Sequence, residues 1–294
     1  MKLFFYIFID MKDLTIIDDS FDLNITSSYH ISILAHSTGL SFAIMDTVRM
    51  KFLAFKHNTF GEALSGSLLY EKIESILAID GYLNQNYKKL YFSIISPKAT
   101  LVPSPIFDSA KKASYNSYLQ IENEDSIVLD NYISTIDSYI IYSIPSRLYN
   151  QAINILDTPQ FFHQSHPMIE NAVTSAKSKS GKSKVYVNIN HGFMDAIVVN
   201  NGQFQLSNSF SYKTDKDQVF YILYLYDQFK LPNESTILEI SGEVQEDSEM
   251  IRILRKHIRN VNFQQFNRGF SYSYTFNELI QYQFSNLINL FRCE

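Results

Sequence analysis

The side chains best placed to do chemistry in this sequence sit in a handful of short turns. His163 and His166 have an H-x-x-H spacing that offers two imidazoles to a metal. Zinc needs further ligands, and the single cysteine, Cys293, is next to the end of the sequence, so the pair reads as structural. Residues 176–183, AKSKSGKS, differ from a phosphate-binding loop by Ala in place of the first Gly. Such a loop follows a strand and opens a helix, so that its amides cradle phosphate. Here a helical pattern precedes it and a strand pattern follows, which makes it a solvated linker. His36 and His191 stand in two hairpin turns that would face one cleft if the chain is an internal duplication; otherwise turn histidines face solvent. Asp46, Asp195 and Asp215 lie near strand ends, with no spacing that selects an acid–base pair. No G-x-S-x-G elbow occurs, and Cys293 has no base beside it in sequence.

These residues are positioned by a pattern centred on 185–212. Val185, Val187 and Ile189 alternate with Tyr186, Asn188 and Asn190, which predicts a strand. His191-Gly192 marks a turn. The apolar run 196–199 predicts a second strand, and Asn201-Gly202 supplies the positive φ angles of a tight hairpin into a third, with Phe204, Leu206 and Phe210. Thr214 and Asp217 form a capping box for a helix carrying Val219, Ile222, Leu223, Tyr226 and Phe229. Ile237, Leu238 and Ile240 close the unit as a buried strand.

The same order recurs earlier. Strands are expected at 31–35, 40–45 and 50–55, and the Thr38-Gly39 turn separates the first two. Thr59 and Glu62 predict a capped helix whose stripe is Leu64, Leu68, Leu69, Ile73, Ile76 and Leu77, followed by a strand at 90–95. The starts are far too distant for a solenoid, so the pattern reads as a duplicated core. Between the copies, a helix is expected from Ser104-Pro105 toward Tyr118, strands at 127–134 and 139–144, a helix capped by Ser146, a short strand at Phe161-Phe162, and a helix capped by Ser165. After the second copy come a helix with Met250, Ile251, Leu254 and Ile258, a strand at 261–266, and a final apolar helix at 276–290.

Composition narrows the function classes. With 46% hydrophobic and 19% charged residues, the chain has the makeup of an ordered globular protein. A net charge of -5 leaves no general basic surface for nucleic acid. The basic face formed by Arg252, Arg255, Lys256 and Arg259 follows Glu243, Glu246, Asp247 and Glu249, an order that suits a helix dipole. One thiol makes no internal disulfide, which fits a reducing, cytoplasmic setting. The apolar run 3–9 is too short for a membrane span and reads as an edge strand or an extended start ahead of Met11. The aromatic stretch 270–284 suits core packing or a protein-binding patch.

The two copies, spanning 29–266, resemble the actin-like, ribonuclease-H-like ATPase superfamily, which includes actin, sugar kinases, the 70-kDa chaperones and pilus-assembly ATPase-like scaffolds. The resemblance is strongest to those scaffolds and to an uncharacterised bacterial family, domain-of-unknown-function family 3822, assigned the same fold. It implies an α/β chain of two lobes, each a mixed five-stranded sheet with flanking helices. Residues 1–28 would form an N-terminal extension or edge strand, 29–183 the first lobe, and 184–294 the second lobe with a C-terminal helix.

Superfamily members hold Mg-nucleotide between the lobes. The Asp and Gly of their first turn fall here on Ala35 and Ser37. In the second hairpin the Asp falls on Asn188, the glycines on Asn190, His191 and Gly192, and the Thr on Phe193. The paired glycines of the adenosine-side turn fall on Ser241 and Gly242. The positions left to face a nucleotide are Ser37, Asn188, Gly192 and Gly242, without either turn's carboxylate. Mg2+ needs hard oxygen ligands, so no catalytic residue, metal ligand or cofactor is expected. The resemblance therefore implies a pseudo-ATPase that acts as an interaction scaffold, with a protein partner or a second copy of itself. The alternatives are an ATPase or kinase with relocated acids such as Asp46 or Asp195, and an unrelated α/β binding module if the repeat is coincidental.

Overall fold

The computed structural model describes residues 13–117, 125–178 and 183–293. Residues 179–182 of the linker read at 176–183 lie outside them, as do residues 1–12.

The first sheet is built from β1 (Leu14–Ile17), β2 (Tyr29–His36), β3 (Gly39–Asp46), β4 (Lys51–Thr59), β5 (Lys89–Ile94) and β9 (Gln160–His163). Between β4 and β5 lies α1 (Gly66–Ile79). An insertion precedes β9: β6 (Ala99–Pro103), α2 (Lys112–Ser117), β7 (Ser126–Ile133) and β8 (Ser138–Pro145), then α3 (Ser146–Ile155). The insertion's strands form their own sheet, ordered β6-β8-β7. After β9 come α4 (Ser165–Ser178), β10 (Lys184–Asn190), β11 (Phe193–Asn200), β12 (Gln203–Ser211), α5 (Asp215–Gln228), β13 (Ile237–Gly242), α6 (Glu249–His257), β14 (Asn260–Phe263), β15 (Ser271–Tyr272) and α7 (Ser285–Asn289).

The duplication is visible in the strand order. The first sheet runs β1-β4-β3-β2-β5-β9, and the second runs β12-β11-β10-β13-β14. Setting β1 aside, the two orders are the same. In each, three antiparallel strands lead into parallel ones: β2 pairs β5, and β10 pairs β13. Each sheet is therefore mixed, with helices on its faces.

Three local expectations give way to competing interactions. The helix start at Thr59 and Glu62 is displaced, because Thr59 still pairs with Gly39 in the ladder and its amide donates to Asp13 at 2.8 Å. The helix begins at Gly66 instead, with Ser65 as an N-cap that makes no side-chain bond. The helix expected at 276–290 breaks into 3-10 turns at Tyr274–Glu278 and Gln281–Gln283, then α7, then a last turn at Leu290–Arg292. All five residues of α7 are buried, so this segment follows the surface it covers, and short turns do that better than a straight rod. The helix expected from Ser104 is likewise a pair of 3-10 turns before α2, because Asp108 accepts from the amide of Ala110 and starts a new cap. The box at Thr214 and Asp217 forms in both directions and opens α5.

The covering helices are exchanged between the sheets. One face of the first sheet packs Ile31, Ile33, Phe42 and Phe92 on Ile73 and Leu77 of α1 and Leu148 and Ala152 of α3. Its other face packs Leu34, Met45, Phe52, Phe55 and Tyr91 against Phe276, Phe284, Leu287, Ile288 and Phe291, from the far end of the chain. The second sheet carries α5 and α6 on one face. On the other, Tyr186, Ile197 and Val199 receive Met168, Ile169, Ala172 and Val173 of α4, which follows the first sheet's last strand. Among the described residues, no helix is long and apolar enough to cross a membrane.

Candidate functional site, the junction between the two sheets

The C-terminal ends of β2, β10 and β13 meet where the sheets adjoin. On the first side, the turn 36–39 places His36 Nδ1 at 2.7 Å from Thr38 Oγ1. Thr38 Oγ1 in turn donates to Glu243 Oε1 at 2.8 Å, across the junction. With the threonine proton committed to the carboxylate, His36 must carry its proton on Nδ1. His36 Nδ1 also lies 3.4 Å from the same Glu243 oxygen. Burial works against the charge on Glu243. The His36 contact, the Thr38 hydroxyl and the nearby charge of His191 outweigh it and hold the carboxyl below its ordinary value. His36 is buried and reaches Glu243 through Thr38, while His191 is exposed and acts on the same carboxylate electrostatically.

Beneath His36, the ring of His57 stacks at 5.9 Å and 12°. His57 Nδ1 is 2.8 Å from Ser41 Oγ, and its Nε2 is buried without a partner. Burial, reinforced by the charge of His36, lowers its pKa to about 4. Gly39 is needed here: a Cβ would come within 2.7 Å of the Asn58 carbonyl oxygen and 2.8 Å of His57.

A second network ties β11 to the first sheet. Asp195 is fully enclosed and accepts from Ser209 Oγ at 2.5 Å, Asn190 Nδ2 at 3.0 Å and Gln164 Nε2 at 3.3 Å. Gln164 belongs to the turn after β9 and also donates to the Ser96 carbonyl at 2.5 Å. Burial raises the Asp195 pKa to about 6, against the pull of its three donors.

The four positions assigned to a nucleotide are engaged as follows. The Ser37 carbonyl accepts from the Leu64 amide at 2.7 Å, and the Thr38 carbonyl from Phe60 at 2.9 Å, so the segment after β4 folds over this turn. Asn188 is buried, donating to Asn190 Oδ1 at 2.9 Å and accepting from Ser241 Oγ at 3.0 Å. Gly192 has φ +79 with open space around it, a requirement of the turn alone. Gly242 has φ +89, and a Cβ there would sit 2.1 Å from the Ile189 carbonyl oxygen. That close approach lets the Glu243 amide donate to the same carbonyl at 2.8 Å and aims its side chain at Thr38.

The other candidates are structural. His163 is buried, with Nε2 3.0 Å from the Ser96 carbonyl and Nδ1 accepting from the Ser165 amide at 3.2 Å. Burial depresses it to about 3, and His166 to about 4. Asp46 caps a turn by accepting from the amides of Val48 and Arg49, at the end of β3 away from the junction. Asp215 accepts from the Met250 amide. Among the described residues, no three His, Cys, Asp or Glu side chains converge on a metal-sized space. Glu243 and Gln164, the two groups that bridge the sheets, were not legible as site residues. Each is an ordinary polar residue just beyond a strand end, and its role depends on a contact with the other half of the chain.

The family described as Protein of unknown function (DUF3822) matches residues 18–261. No curated protein matches the chain. Among solved structures, the chain is similar to a Bacteroides thetaiotaomicron VPI-5482 protein with an actin-like ATPase fold and unknown function. The TM-score is 0.72 at 22% identity, over 83% of this chain and 93% of that one. It is also similar to a chain of the PilM-PilN type IV pilus biogenesis complex, with a TM-score of 0.57 at 9% identity, over 89% of this chain and 97% of that one. The fold is thus that of the actin-like ATPases.

Proposed function

On the premise that the chain belongs to the DUF3822 family, we propose that it is a non-catalytic scaffold: an actin-like fold that holds its two halves together and presents surfaces to other proteins. The observation that carries this reading is the Thr38–Glu243 hydrogen bond, 2.8 Å across the gap between the sheets. In nucleotide-binding members of the fold, the phosphates lie between these turns. Here a carboxylate held in its ionised form spans that space, and a phosphate entering it meets like charge and must break a bond already made. The residues present do not fit an Mg-nucleotide. Asp195, the other buried acid beside the junction, has its oxygens taken by three donors. That a protein of this fold occurs in the PilM-PilN complex supports a partner-binding role.

The test is calorimetric titration of the full chain with ATP and Mg2+ to millimolar concentration. No binding heat is expected. Micromolar binding, with Ser37, Asn188, Gly192 and Gly242 as the positions a nucleotide would meet, would replace the scaffold reading with that of a nucleotide-dependent enzyme.

A further inference from the structure

Helix α5 leads into β13 and α6 into β14, so both helices end beside strand starts, away from the junction, where strands end. Between these helix ends lies a groove of about 500 Å³, within the size range of small-molecule sites. Its floor is apolar: half-buried Leu223 and the ring of Tyr226 from α5, and buried Leu231 just beyond that helix. Asp227, Lys230 and His257 form its rim, all exposed.

Two features of this groove go beyond what the fold needs. Tyr226 is 3% exposed, yet its hydroxyl has no hydrogen-bond partner among the described residues. A buried phenol normally finds one. Burial holds its pKa above the ordinary value, so it keeps its proton and is a donor at neutral pH. Lys230 has φ +53, where the chain leaves α5 by bonding the Lys230 amide to the Asp227 carbonyl at 3.1 Å and the Leu231 amide to the Tyr226 carbonyl at 2.8 Å. Glycine is the usual occupant of this helix-ending position. A lysine here keeps an ammonium at the rim despite a strained backbone. Lys230 Nζ lies 3.9 Å from Asp227 Oδ1, with both side chains out in solvent. So loose a pair stabilises little and separates readily.

We propose that the groove binds a free apolar α-amino acid of the size of leucine. Its ammonium would sit on Asp227, its carboxylate on Lys230 and the Tyr226 hydroxyl, and its side chain on Leu223 and Leu231. Charge complementarity selects this class. A simple carboxylate meets the like charge of Asp227, and a simple amine that of Lys230. A neutral apolar molecule gives neither charge a partner. A zwitterion carries its opposite charges on one carbon and matches the pair with a single molecule. A peptide chain does not, because its ammonium and carboxylate stand at opposite ends. The groove shares no residue with the junction between the sheets, so this inference stands apart from what the junction binds.

The test is a chemical-shift titration of the full chain, isotope-labelled at its leucine methyls, with L-leucine. Saturable shifts at Leu223 and Leu231 are expected, with a Kd of about 1 mM or below. N-acetyl-L-leucine lacks the ammonium and 3-methylbutylamine lacks the carboxylate, so each should bind at least about tenfold more weakly. No saturable shift up to about 10 mM, or equal binding of either analogue, overturns the proposal. Two variants spare the fold. Glycine suits φ +53, so Lys230→Gly should stay folded by circular dichroism. Tyr226→Phe removes a hydroxyl that has no partner, so its Tm should not fall. Each should weaken L-leucine binding at least about tenfold, and unchanged affinity in either variant overturns the site.

Discussion

At the scale of single residues, the junction is held by groups whose charge states oppose one another. Asp195 has a folded pKa of about 6, above its unfolded value. It therefore stabilises the fold at low pH, and that contribution is lost as pH rises through 6. Buried His57, His163 and His166 are depressed, so theirs is present at neutral pH and lost as pH falls below the ordinary histidine range. Asp195→Asn should remove only the first slope. Denaturant unfolding at pH 4.5 and 7 should show wild type gaining on the variant at the lower pH, by an amount on the order of 2 kcal/mol; equal differences at both pH values would contradict the assignment. The glycines separate by space. Gly242→Ala drives a Cβ into the Ile189 backbone, with an expected loss of more than about 3 kcal/mol. Gly192→Ala meets nothing and should cost about 1 kcal/mol. Thermal unfolding of the two variants reads the contrast. Sequence comparison located both glycines. It could not tell that Gly242 serves the approach of β10, because that depends on which strand lies beside β13.

At the scale of elements, what was legible was what local pattern decides. The alternation in β10, the Asn201-Gly202 hairpin with φ +50 and +76, and the reciprocal cap of α5 all formed where their residues stand. The failures share a cause. The cap expected at Thr59 yields to the β3–β4 ladder, and the terminal helix is bent by the sheet beneath it, so tertiary pairing overrides a sound local signal. Phe284 shows what the terminal segment contributes. It packs edge-on to Phe55 at 4.6 Å and 5.6 Å from His57, below the junction turn. Phe284→Ala should cost about 3–4 kcal/mol, and hydrogen exchange should rise in β3 and β4 before it rises in the second sheet. Uniform acceleration across the chain would show that the segment is not a local cover.

At the scale of the whole molecule, the repeated order of strands was readable, and the exchange of covers was not, since each cover is contributed by residues distant in sequence. A chain divided at 183 and 184 should leave each half with an apolar sheet face bare. Expressed separately, the halves should lack the sharp unfolding transition and dispersed amide spectrum of the intact chain, and co-expression should restore both; a separately folded half would contradict this. The covers also differ in when they arrive. Residues 29–163 leave the ribosome with one sheet face provided for by α1 and α3, but the residues that close the other, 276–293, are made more than a hundred residues later. Throughout that interval the nascent first sheet leaves Phe52, Phe55 and Tyr91 uncovered, so the growing chain carries its most aggregation-prone surface until 276–293 is made.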